Sequence, residues 1–258
     1  MKTTINSKIL STTNLENQVE GYCNIYKVLE NEIEEVYMEF VFIKGYYNNF
    51  TQPNKNLYDV LITMGGKAEL IVENKTYKLE RSFIAKIPYN IGYNIEVARG
   101  NTFSFLLIRK EIDKKDIEEI KNMLDKHSSP YVRAFSDCTP YTEDIKSSKT
   151  LNRMILPEGL VPRFCVGTVE TTGPDEVAAH EHPMLEQLFL GLPNCNCTVF
   201  ANNDFITLTE NMIIHIPLGS LHSVKVDDGS VLSYVWLDFF KTLEGQEYMS
   251  DQHQINDE

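Results

Sequence analysis

Short apolar runs separated by turn residues fill two long stretches of the chain. In the first, from Tyr22 to Arg109, the runs are residues 36–42, 59–64, 68–72, 83–87 and 103–108. Gly65-Gly66, Glu73-Asn74-Lys75 and Arg99-Gly100-Asn101 supply intervening turns, and runs of this length between such residues predict strands. Residues 110–127 change character: charges are interleaved with Ile112, Ile117, Ile120, Met123 and Leu124 near a helical period, and Ser128-Ser129-Pro130 ends the pattern. This segment reads as a helical connector whose mixed charges form a solvated face.

A second β-rich stretch runs from Tyr131 to Leu243, with candidate strands at 164–170, 178–182, 187–192, 196–201, 205–208, 212–216, 220–226 and 231–240. Many short strands with regularly spaced turns predict an all-β chain of sandwiches or barrels. The organisation expected is a first barrel over 1–109, a connector over 110–130 and a second barrel over 131–258. The last of these closes with a polar, acidic tail (244–258) that frays.

The two stretches can be laid over each other. Leu57-Tyr58-Asp59-Val60-Leu61-Ile62 matches Leu185-Glu186-Gln187-Leu188-Phe189-Leu190, and Ile87-Pro88 matches Ile216-Pro217. Such self-similarity marks an internal repeat.

Candidate chemistry is concentrated in the second stretch. His180, His182 and Glu186 form an H-x-H-x3-E run, and His222 closes the turn Pro217-Leu218-Gly219-Ser220-Leu221-His222. On one continuous strand, positions i, i+2 and i+6 share a face. Two imidazoles and a carboxylate would then meet a third imidazole from a neighbouring strand, a set suited to a divalent transition metal. In the repeat register, Gln52, Asn54, Tyr58 and Tyr93 stand at the four corresponding places. Amides and phenols hold such an ion poorly, so the first half is expected to lack a site.

Other residues are weaker candidates. Gln187 follows Glu186 directly and by period 2 points away from the metal, while His215 reads as a strand residue beside the site. Cys195 and Cys197 read as small buried hydrophobes. Arg163, Glu170, Tyr234, Trp236 and Asp238 are candidates for a pocket wall, with the inward face undetermined.

Composition narrows the partners. The 258 residues carry a net charge of −13, which opposes nucleic acid and anionic lipid alike. No window approaches the ~18 apolar residues of a membrane helix, and the first residues lack an apolar signal core. Five cysteines make an odd set that fits reduced thiols. A cytoplasmic location follows as the expectation.

Together the motifs resemble those of the cupin superfamily, G-x5-H-x-H-x3,4-E-x6-G and G-x5-P-x-G-x2-H-x3-N. The second half covers both motifs, and the whole chain looks like a two-domain cupin with a degenerate N-terminal half. Departures are one extra residue between Gly173 and His180, an early Gly191, Asn211 for the second motif's opening glycine and Val226 for its closing asparagine.

The resemblance implies two tandem double-stranded β-helix (jelly-roll) barrels joined by the helical connector. It also implies one divalent transition metal per chain (Fe, Mn, Ni, Co, Cu or Zn) held by His180, His182, Glu186 and His222. The function it implies is a metal-dependent enzyme acting on a small polar or phenolic metabolite, by oxygenation or by isomerisation or lysis through chelation. The competing account is a non-catalytic, metal- and ligand-binding two-domain cupin with a structural or sensing role. Exposed sheet edges suggest a homodimer.

Overall fold

The computed structural model describes residues 5–13, 15, 17–182, 184–250 and 254–255, with side chains through residue 247. It divides into two compact units: Ser11–Asp137, and Cys138–Glu258 together with Met1–Leu10. Each unit is built from two antiparallel sheets whose inner faces enclose an apolar core.

In the N-terminal unit the larger sheet runs Tyr131–Ala134, Phe83–Ile87, Leu57–Gly66, Thr102–Glu111, Val36–Lys44, Cys23–Lys27. The smaller runs Tyr47–Thr51, Tyr93–Val97, Ala68–Val72, Lys75–Leu79. Alternate residues Val41, Ile43, Leu61, Phe103, Phe105 and Leu107 face inward against Leu70, Val72 and Ile95, the period of 2 that strands impose.

The C-terminal unit repeats the plan. In the larger sheet, Asn6–Ile9, Met212–Ile216, Leu185–Gly191, Val231–Phe240, Phe164–Thr172 and Leu151–Val161 are successive neighbours, with Thr139–Thr142 beyond. Asp175–His180, His222–Val226, Asn196–Ala201 and Asp204–Thr209 form the smaller sheet. The strand Val231–Phe240 is central and nearly all buried, which accounts for an apolar run interrupted only by Ser233 and Asp238. Its residues Leu232, Tyr234, Trp236 and Phe240 belong to the inner core. Gly167 opposite Trp236 leaves room for the indole, since a Cβ there would lie 2.3 Å from its Cζ2.

Two boundaries differ from the sequence reading. The first strand, Asn6–Ile9, pairs with Met212–Ile216 of the C-terminal unit, and Tyr131–Ala134 pairs with Phe83–Ile87 of the N-terminal one. Edge strands of four residues carry too little alternation to declare their sheet.

The connector is not one solvated helix. It comprises a 3-10 turn Lys114–Asp116 and two short helices, Ile117–Asn122 and Leu124–Ser128, separated by Met123 outside helical geometry. Its Asp116, Glu119, Ile120 and His127 are buried. The buried Lys86 donates to the carbonyls of Lys126 (2.8 Å) and Ser129 (2.8 Å), and Tyr58 Oη lies 3.0 Å from His127 Nδ1. Satisfying the last helix carbonyls in this way is what a buried cation at a helix C-terminus achieves.

The expected frayed tail begins instead as a helix, Leu243–Ser250, whose Gln246 Oε1 accepts from the Arg163 backbone N–H at 2.7 Å. Residues 251–253 and 256–258 lie outside the described residues.

Candidate metal centre

The strand Asp175–His180 ends on His180, directly opposite His222, the first residue of His222–Val226. His182 follows in the loop leading to the other sheet. The imidazole centres are 4.2 Å (His180–His222), 4.8 Å (His180–His182) and 5.3 Å (His182–His222) apart. One donor atom from each lies within 4.8 Å of the others.

Backbone carbonyls orient two of these rings. Nδ1 of His180 lies 2.8 Å from the Ala178 carbonyl, and Nδ1 of His222 lies 3.0 Å from that of Ser220. A carbonyl can only accept, so each Nδ1 carries the proton and each Nε2 keeps its lone pair, the tautomer a metal requires. Burial lowers the His180 pKa, and burial with the neighbouring His180 and His182 brings His222 down to about 3. Both rings are therefore neutral at pH 7, ready to act as ligands.

Glu186 does not join them. It sits on Leu185–Gly191, where Leu185 and Phe189 face the core, so alternation puts Glu186 on the opposite face. There its carboxylate accepts from His215 Nε2 at 3.0 Å and pairs with Lys241 Nζ at 3.1 Å. Burial pushes its pKa up, but the hydrogen bonds from His215 and Lys241 outweigh that and hold it below the ordinary carboxylate value.

The expected four-ligand set of His180, His182, Glu186 and His222 is thus corrected: the three histidines converge and Glu186 bonds elsewhere. The reason is geometric. His180 and Glu186 belong to strands of different sheets, so counting in twos across the intervening loop does not preserve the face.

Gln187 takes the inward position instead. Its Nε2 donates to Asp238 Oδ1 at 2.8 Å, and the two residues face each other across adjacent strands. Gln187 Oε1 and His222 Nε2 are both buried without a hydrogen-bond partner. Such atoms cost about 1–3 kcal/mol each when unmet. Imidazole donors and an orphaned oxygen suit a divalent transition metal, so the residues present fit the ion that the resemblance implies.

The segment before Arg153, mute in the sequence, adds three more groups. Tyr141 accepts a hydrogen bond from Trp236 Nε1 at 3.1 Å. Lys146 lies 5.4 Å from the Tyr141 ring centre, is ion-paired with Glu143, and bridges to Val177 on the strand that ends at His180. Burial lowers the Lys146 pKa, against the raising effect of Glu143. The signal that places this segment is tertiary: Lys146 bridges to Val177, and Ala178 N–H donates to Ile145 O at 2.9 Å.

The remaining candidates sort cleanly. Tyr234 and Trp236 lie in the inner core, and Arg163 sits in the turn after Leu151–Val161 at φ 55°. Glu170 pairs with Arg153 at 3.4 Å, away from the histidines' partners. Cys195 and Cys197 are free, buried and 3.8 Å apart, as small apolar residues would be. Asn211, standing where the motif has glycine, holds φ 60°, a conformation asparagine tolerates better than most residues.

Solved structures share this architecture. A putative glyoxylate induced protein from Pseudomonas aeruginosa superposes with a TM-score of 0.69 at 14% identity, covering 83% of this chain and 79% of that one. The cupin 2 conserved barrel domain protein from Leptotrichia buccalis gives 0.58 at 11% identity, covering 92% and 96%. The oxalate decarboxylase of Lactobacillus farciminis, solved as a formate complex, gives 0.62 at 11%, covering 87% and 83%. No protein-family model and no curated protein sequence matches the chain. The fold is that of a two-domain cupin. Among the described residues no helix is long and apolar enough to cross a membrane.

Proposed function

We propose that this chain is a metal-dependent enzyme in which His180, His182 and His222 hold one divalent transition metal in the C-terminal barrel. Its substrate is a small polar or phenolic metabolite with adjacent oxygens, and oxygenation or isomerisation and lysis are its reaction types. The observation that carries this reading is the convergence of three imidazoles, two of them fixed by backbone carbonyls with Nε2 unprotonated. When bound, such a metal polarises a chelating carbonyl or hydroxyl oxygen and, if redox-active, opens oxygen chemistry.

The chain's own residues supply the rest. Lys146 is a cation paired with Glu143 and held beside the strand that ends on His180 by its bridge to Val177. This favours an anionic oxygen compound, such as a hydroxy acid or keto acid, within the proposed class. Phe189, its ring centre 6.1 Å from that of His222, gives the site an apolar wall, and polar contacts are stronger where water is excluded.

The test is turnover of a panel of hydroxy acids, keto acids, diols and catechols by protein loaded separately with iron, manganese, cobalt and zinc. Turnover of at least one member by the loaded protein, absent in His222→Ala, supports the reading. Tight metal binding with no turnover across the panel supports instead a non-catalytic binding role.

A further inference from the structure

We propose that Gln187, not Glu186, is the fourth protein donor of the C-terminal site, its side-chain oxygen aimed at the imidazoles by the hydrogen bond its amide gives Asp238. The assignment rests on the metal-binding reading above and concerns only which residue completes it.

Direction comes first. Gln187 lies on the same face of its strand as Phe189, whose ring centre is 6.1 Å from that of His222. Opposite Gln187 on the neighbouring strand is Ile216, which enters the Pro217 turn leading to His222. Glu186 points to the other face with both carboxylate oxygens engaged, by His215 and by Lys241.

Orientation comes second. A primary amide has one donor end and one acceptor end. With Nε2 on Asp238 Oδ1 at 2.8 Å, Oε1 must point away from the carboxylate. Flipping the amide would set oxygen against oxygen, so the assignment follows from chemistry and not from indistinguishable atoms. That oxygen is buried and without a partner.

The identity of residue 187 also follows. A glutamate there would place a second carboxylate within hydrogen-bond distance of Asp238, and like charges at that separation disfavour one another. Glutamine turns the same contact into a hydrogen bond and leaves a neutral oxygen donor. Asp238 is a positioning residue in this account: it touches the donor's amide and sets where its oxygen lies.

The experiment is titration of chelator-stripped protein with cobalt(II), followed by calorimetry and by the visible d–d absorption. Wild type binds one cobalt per chain, and His222→Ala loses it. Gln187→Leu, which fills the same space without an oxygen, weakens binding by about tenfold or more and shifts the d–d bands. Glu186→Gln binds within about twofold of wild type with an unchanged spectrum, because its carboxylate lies on the opposite face of the strand, bonded to His215 and Lys241 and to none of the three histidines.

Asp238→Leu frees the amide and weakens binding, while Asp238→Asn retains an acceptor and restores both affinity and spectrum. Melting curves identify any variant that fails to fold, and Gln187→Leu, with no buried charge altered, keeps the test open. Loss in His222→Ala with wild-type binding and spectrum in Gln187→Leu overturns the Gln187 assignment and leaves the metal reading standing. Loss in Glu186→Gln with none in Gln187→Leu returns the role to Glu186. Wild type that binds no cobalt overturns the metal reading itself.

Discussion

The two halves place different chemistry at matching points of one ladder. Asp59 is the third residue of Leu57–Gly66 and lies opposite Ile87 and Arg109. Gln187 is the third residue of Leu185–Gly191 and lies opposite Ile216 and Asp238. Tyr93 and His222 each open the strand after the Pro turn.

In the N-terminal half these groups satisfy one another. Tyr93 Oη donates to Asp59 Oδ2 at 2.8 Å, while Arg109 lies 3.6 Å from Asp59 and 2.9 Å from Glu39. Burial raises the Asp59 pKa against the lowering effects of Tyr93 and Arg109. In the C-terminal half the corresponding positions leave an amide oxygen and an imidazole nitrogen buried and unmet. One barrel closes its polar centre internally; the other leaves donors for something from outside.

That contrast can be broken from either side. Largest is the effect of His180→Ala or His222→Ala, expected to reduce metal affinity by more than about 100-fold, beyond the usual loss for an outer-shell partner. Equilibrium dialysis reads it directly. The matching change in the other half, Tyr93→Phe, should leave the metal count unchanged. It should destabilise the N-terminal unit by about 1–3 kcal/mol, because Asp59 loses a buried donor; chemical denaturation measures this. If Tyr93→Phe altered metal binding, the halves would not be independent in function.

Smallest is the effect of Glu186→Gln, expected to cost about 0.5–1.5 kcal/mol at pH 7 through weakened bonds to His215 and Lys241. Because the folded carboxyl is held below its ordinary 4.5, the unfolded chain takes up the proton first as pH falls. The stabilisation is therefore full above 4.5 and lost as pH drops through the folded value. Denaturation of wild type and variant at pH 7 and at acid pH should show the gap closing.

Much of this was legible in the sequence. The tandem β architecture, the repeat and the three histidines all rest on local pattern, as does the pairing of Tyr58 with Glu186. Both of those residues do occupy the same outward place, Tyr58 against His127 and Glu186 against His215.

What failed did so where strand counting crossed a loop. The overlay set Gln52 against His180, yet it is Thr51 that faces Tyr93 as His180 faces His222. The ladder carries an irregularity between Val177 and His180, and one extra residue there shifts every face that follows. The same count points Gln187 away from the site, whereas it shares its strand face with Phe189, whose ring centre is 6.1 Å from that of His222. Lys146 and Glu143 were invisible for a different reason: their segment is positioned by bridging to Val177, a contact made across 31 residues of chain that no local pattern encodes.

The most direct test of the central claim is the number of histidine nitrogens coupled to a single bound paramagnetic ion. Pulsed electron paramagnetic resonance on copper(II)-loaded protein reads this number. The account predicts one ion per chain coupled to three imidazoles, falling to two in His182→Ala, with no change in Tyr93→Phe. Binding without imidazole coupling, or a signal unaffected by removing His182, would contradict it.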